Sequence, residues 1–174
     1  MTTPTTPTDD PVSALAALIS NIPVAMLTTI GTDGQLHSRP MTTQKFAFTG
    51  ELWFFAARSS LVRWEIGKHP QVNLAYAAHG DHRYVSVSGS AQLVDDRGKV
   101  ERLWNQTYEP WFPDGIDDPQ LALIKVAVEH AEYWDAPRGV MIKIAGFLKA
   151  VGGVASPAGG HGSLDLPARS TTGG

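Results

Sequence analysis

Two short stretches carry residue types suited to holding an anionic ligand. The first, Ser38-Arg39-Pro40-Met41-Thr42-Thr43-Gln44, sets a guanidinium, three hydroxyls and an amide around a proline. Proline in a strand gives up a ladder hydrogen bond, so it marks an edge or a bulge, where backbone is open to a ligand. The second, Arg58-Ser59-Ser60, falls where an apolar run ends and a helical pattern begins. Backbone N–H groups at a helix start, two hydroxyls and a guanidinium facing one point suit a phosphate. Each stretch alone also fits plainer structure: a solvated edge strand with a surface arginine, and an ordinary helix cap. Taken together, two basic residues and two hydroxyls on adjacent strand ends fit a phosphate better than scatter does.

Other candidates are weaker. His79-Gly80-Asp81-His82 offers two imidazoles and a carboxylate to a metal, but such a polar turn is more simply a solvated hairpin. Asp95-Asp96 reads as a helix cap, because neighbours at a helix start point in different directions. There is no cysteine, which removes disulfides, thiolate zinc sites, iron–sulfur clusters and cysteine nucleophiles. No P-loop, nucleophile elbow or Gly-x-Gly-x-x-Gly run occurs. A net charge of -3 offers no general attraction to nucleic acid. No apolar stretch approaches the roughly 20 residues of a membrane helix, so the chain reads as soluble and cytoplasmic.

The elements that must position these residues follow from periodicity and punctuation. Residues 1–10 are Thr-, Pro- and Asp-rich and read as a flexible tail. Asp10-Pro11 starts a short helix with Val12, Leu15, Ala16, Leu18 and Ile19 in helical repeat, stopped by Pro23. Strands are predicted over 24–30, 35–48 and 51–57, forming a meander in which the second is long and broken by Pro40. A helix over 61–68, capped by one of the serines, stops at Gly67 and Pro70. Strands over 72–78 and 84–94 follow. A helix then carries Val100, Leu103, Trp104, Thr107 and Tyr108 on one face and ends before Pro110. Residues 121–133 suit helix and strand alike, and strand is preferred. A last helix is expected over 138–151, with a Gly-rich tail over 152–174. The 174 residues thus make one domain over 11–151, mainly β (α+β): a six-stranded antiparallel split β-barrel with peripheral helices.

Over about residues 12–150 the chain resembles the pyridoxamine 5′-phosphate oxidase-like FMN-binding split-barrel family, in its general stress protein 26 branch. The resemblance rests on Ser-Arg-Pro-Met-Thr-Thr-Gln at 38–44, Leu-Trp-Phe-Phe at 52–55, the helix and strand over 60–76, and Glu-Tyr-Trp-Asp at 132–135. It implies a homodimer with two FMN sites at the subunit interface. By position, Arg39 and Gln44 would lie beside the ring system and phosphate, and Met41 and Thr42 would offer backbone to the ring edge. Phe55, Ala56, Ser59 and Ser60 match the phosphate-binding turn, with Arg58 or Arg63 as further cations. Trp111 resembles an aromatic lent by the second subunit. Ala56 stands where many relatives have a hydroxyl, and Val62 where they often have lysine.

The resemblance implies a stress-linked, FMN-dependent oxidoreductase acting on a small redox substrate such as NAD(P)H. The C-terminal residues of a true pyridoxamine phosphate oxidase are not found. F420 is the alternative cofactor, and a non-enzymatic flavin, F420 or haem binding or sensing module is the alternative function. No residue is assigned a catalytic or metal-binding role.

Overall fold

A computed structural model describes residues 10–44, 47–135 and 160–166. Helix α1 (Pro11–Ile19) begins as its sequence suggests. The Asp10 carboxylate accepts hydrogen bonds from the Val12 and Ser13 N–H groups, and Pro11 occupies the first turn, where its missing N–H is not needed. The strands are β1 (Val24–Ile30), β2 (Leu36–Thr42), β3 (Glu51–Ala57), β4 (Gln71–Ala78), β5 (Arg83–Val94), β6 (Leu121–Asp135) and β7 (Gly160–Asp165). Helix α2 (Leu61–Lys68) joins β3 to β4, and α3 (Arg97–Leu103) follows β5.

All strand pairs are antiparallel, in the order β2-β1-β4-β5-β6-β3. The sheet curls until its end strands approach, and at that seam the Gln44 N–H donates to the Trp53 carbonyl at 3.3 Å. The result is a six-stranded split barrel with helices around it. β3 covers residues 121–127 of β6, and β7 covers residues 130–135. Gly89 of β5 lies beside a bulge at Glu129 of β6, and a Cβ on Gly89 would lie 2.1 Å from the Ala127 carbonyl oxygen. Only glycine lets the two backbones approach so closely.

Two apolar clusters follow from strand alternation. The larger joins Leu27, Phe54, Leu74, Tyr76, Val87 and Ile124 to Leu15 of α1 and to Val62 and Ile66 of α2. The smaller lies on the other side of β3 and β6, where Trp53, Phe55, Leu121 and Leu123 meet Leu103, Tyr108 and Phe112.

The expected meander is not formed: β2 pairs with β1, whereas β3 crosses to β6. β3 is apolar on both faces and needs cover on both, while β2 alternates between exposed and half-buried residues and tolerates an edge. β2 ends at Thr42, short of the predicted 48, and carries Pro40 along that edge. The helix expected to run past Leu103 stops there. Trp104 is extended, and the Asn105 side chain accepts from the Thr107 N–H, starting a separate short turn over Gln106–Tyr108. Ser60 holds the N-cap position of α2, but its hydroxyl donates backward to the Ala57 carbonyl at 2.5 Å and caps nothing. Asp96 does cap α3, accepting from the Lys99 N–H. Residues 121–133 are strand, as preferred. The stretch expected to be a tail contains β7, which places Leu164 and Leu166 against the larger cluster. The helix expected over 138–151 lies outside the described residues.

Candidate functional site

The segment after β2 is fixed from two sides by buried tyrosines. The Thr43 hydroxyl donates to the Tyr76 hydroxyl oxygen at 3.1 Å, and the Gln44 amide donates to the Tyr108 hydroxyl oxygen at 2.5 Å. Tyr76 belongs to the larger cluster and Tyr108 to the smaller, so both halves of the core hold this corner. Burial pushes the Tyr76 phenol up to about 12 despite the Thr43 contact, so it stays protonated. Gln44, 8% exposed, also donates to the Thr42 carbonyl at 3.4 Å. Beside Thr43 and Gln44 opens a cavity of about 640 Å³ between the end of α1 and the β2–β3 seam, lined among others by Ile22, Pro23, Phe48 and Trp53. That volume lies in the range of small-molecule sites of roughly 300–1,000 Å³. Among the described residues Glu51 is the one ionisable side chain in the lining, and it faces Lys125 at 3.7 Å.

The remaining predicted residues are spread around this corner. Met41 packs on the larger cluster from the half-buried face of β2, and Thr42 is exposed on the other face. Phe55 packs edge-on against Tyr108 at 5.0 Å between ring centres, and through Tyr108 it meets Gln44. Ala56 faces the larger cluster. Arg58 ties three elements together: its N–H donates to Gln120, its Nε to the Leu121 carbonyl at 3.0 Å, and its Nη2 reaches Asp95 at 2.9 Å. That places it on a smaller cavity of about 220 Å³, apart from Gln44. Ser59 is exposed, and Arg63 lies over the Trp64 ring at 5.5 Å. Trp111 is 71% exposed on the loop after Tyr108.

Arg39 has the most constrained surroundings. Its Nη2 meets the Glu65 Oε2 at 2.6 Å, and the same carboxylate takes the Thr29 hydroxyl at 2.6 Å and the His37 Nδ1 at 2.7 Å. Burial alone would raise the Glu65 pKa. The hydrogen bonds from Thr29, His37 and Arg39, with the Arg39 charge, outweigh it and bring the carboxyl down to about 2. The Arg39 Nη1 is buried without a protein partner.

Sequence reasoning missed Tyr76, Tyr108, Thr29 and Glu65. Glu65 reads as an exposed helix position, and only the turn of α2 that places it between Val62 and Ile66, beside two inward β2 residues, shows otherwise. Tyr108 carried one usable signal, its place on an apolar face with Leu103 and Trp104.

Fold and site together describe a split-barrel protein with a ligand-sized cavity at its seam. Residues 10–156 match the pyridoxamine 5′-phosphate oxidase like family, and the chain belongs to that family. Among solved structures it is similar to the general stress FMN/FAD binding protein of Xanthomonas citri, at 29% identity and a TM-score of 0.66, over 79% of this chain and 96% of that one. General Stress Protein 26 of Bacillus anthracis str. Sterne shares the fold at 24% identity and a TM-score of 0.61, over 71% of this chain and 90% of the other. Protein bli-3 of Neurospora crassa is 25% identical over 155 residues, 83% of this chain and 74% of that protein. No helix among the described residues is long and apolar enough to cross a membrane.

Proposed function

We propose that this chain is a flavin-binding protein of the general stress type, and an oxidoreductase toward a small redox partner such as NAD(P)H. The observation that carries the reading is the Thr42-Thr43-Gln44 corner, held by two buried tyrosines beside a largely apolar cavity of about 640 Å³. A planar ring system needs such a rigid apolar slot with a few polar groups to orient it. The description of the Xanthomonas citri relative as an FMN/FAD binding protein supports flavin as the ligand. A bound flavin supplies hydride and electron transfer at its ring. The chain's own contribution is to position the ring, to offer backbone and the Gln44 amide to its polar edge, and to exclude water with Ile22, Phe48 and Trp53. Glu51 is engaged with Lys125, so among the described residues no cavity side chain is free to act as an acid or base.

A second copy of the chain belongs in the same reading. The outward face of the sheet carries Val24, Met26, Pro40, Ala75, Tyr84 and Ser86 in register across four strands, with Val24, Met26 and Tyr84 exposed. A broad face of small and apolar side chains suits a homodimer.

The test is an absorption spectrum of the purified protein after adding excess FMN and removing what is unbound. Flavin bands near one per chain support the reading, and no retained flavin sinks it. NAD(P)H oxidation by the loaded protein then separates an oxidoreductase from a module that only stores or senses flavin. Light scattering giving the mass of a single chain at micromolar concentration would reject the homodimer.

A further inference from the structure

We infer that this chain recognises the flavin ring and not its phosphate, because Glu65 and Asp95 engage the two arginines that a 5′-phosphate would need. The inference rests on the flavin reading above and adds to it the chemical class of ligand: a flavin for which the 5′-phosphate is dispensable, with riboflavin held nearly as well as FMN.

Arg39, Arg58 and Ser60, three of the groups that the sequence offers to a phosphate, are already engaged, and Ser59 brings no charge of its own. Arg39 is bonded to Glu65 at 2.6 Å, and Arg58 to Asp95 at 2.9 Å and to the Leu121 carbonyl. The Ser60 hydroxyl donates to the Ala57 carbonyl. Val62, in the first turn of α2, is 2% exposed and packs in the core. Arg63 stands in solvent over Trp64, where water screens its charge.

Glu65 is what makes the arrangement hard to reverse. It is 3% exposed, and its two oxygens are held by Thr29, His37 and Arg39. A phosphate that drew Nη2 of Arg39 away would leave a carboxylate in the core without its cation, a loss larger than the charge-assisted bond gained. An incoming dianion would also meet the Glu65 carboxylate at short range. Nη1 of Arg39 is still unpartnered, but the guanidinium charge is already matched. The phosphate therefore gains little.

The test measures riboflavin and FMN dissociation constants by flavin fluorescence quenching on the full chain, at low and high salt. It is repeated for Glu65→Gln and for Asp95→Asn. Asp95 is 88% exposed, so its variant frees Arg58 without disturbing the core if Glu65→Gln fails to fold. The expected result is a wild-type FMN preference within about threefold, insensitive to salt, rising about tenfold in one variant or both as an arginine is released. FMN preferred over riboflavin by about thirtyfold or more in the wild type would overturn the inference and leave the flavin reading standing. A small preference unchanged in both variants would overturn it as well, since the two carboxylates would not be its cause. Binding of neither flavin overturns both readings together.

Discussion

Replacing Glu65 by Gln is the most informative single perturbation of stability in this fold. The Glu65 carboxyl lies at about 2 in the folded protein against 4.5 for its ordinary value. At about 1.4 kcal/mol per pKa unit, that difference is worth on the order of 3 kcal/mol at neutral pH. Because the folded value is depressed, the contribution is complete above about 4.5 and is lost as pH falls toward 2. Linkage leaves about 1.4 kcal/mol of it at about pH 3, so about 2 kcal/mol is lost between neutrality and that point. Glutamine keeps an acceptor for Thr29 but removes the charge opposite Arg39, so the variant carries none of this pH dependence. Urea unfolding followed by tryptophan fluorescence, at one protein concentration and a series of pH values, gives both profiles. The expected outcome is a gap of about 3 kcal/mol at pH 7 that narrows by about 2 kcal/mol toward pH 3. Parallel profiles, with the gap constant across that range, would refute the assignment of Glu65 as a buried, charge-paired carboxylate.

Three further outcomes are expected. Gly89→Ala forces a Cβ to within 2.1 Å of the Ala127 carbonyl and disrupts the β6 bulge, costing roughly 2–4 kcal/mol in thermal unfolding; a loss under about 1 kcal/mol would show that the bulge relaxes. Tyr108→Phe removes the acceptor of the Gln44 amide and costs about 1–2 kcal/mol while weakening flavin retention; unchanged retention would separate Gln44 from the ligand site. The His130 imidazole, hydrogen-bonded to Asp165 at 2.7 Å, titrates above its ordinary value, so this clasp between β6 and β7 is complete at low pH and fades as pH rises through the raised value. An NMR titration of the His130 ring is expected to show the midpoint falling in Asp165→Asn, and an unmoved midpoint would discard the clasp.

What was legible in the sequence is what periodicity encodes locally. The Asp10 cap, the extent of α2 and the strand character of β6 follow from residue type and spacing, because the forces that fix them act within a turn or a strand. The partner of β3 was not legible: Phe54 and Phe55 announce burial on both faces but do not say which strand provides the ladder. β7 was hidden by its glycines, since Gly160 and Gly162 look like linker while Leu164 and Leu166 supply the burial. Of the anticipated ligand residues, Gln44 lines the larger cavity and Phe55 joins it through Tyr108, whereas Arg39 and Arg58 are drawn into ion pairs. A sequence shows that a guanidinium is present; which carboxylate a distant helix turns toward it is decided by the packing of that helix.

The crossing of β3 to β6 also sets the order in which this chain can acquire its structure. Phe54 finds its register opposite Ile124, about seventy residues later, and no nearer strand substitutes for it. The β1–β2 and β4–β5 hairpins need only short loop closures and can form as soon as they are synthesised. β3, with four consecutive buried residues, must wait with its apolar faces uncovered until β6 leaves the ribosome. The interval between those two events is when the chain is most exposed to misassociation, and a chaperone would meet it chiefly at Leu52, Trp53, Phe54 and Phe55.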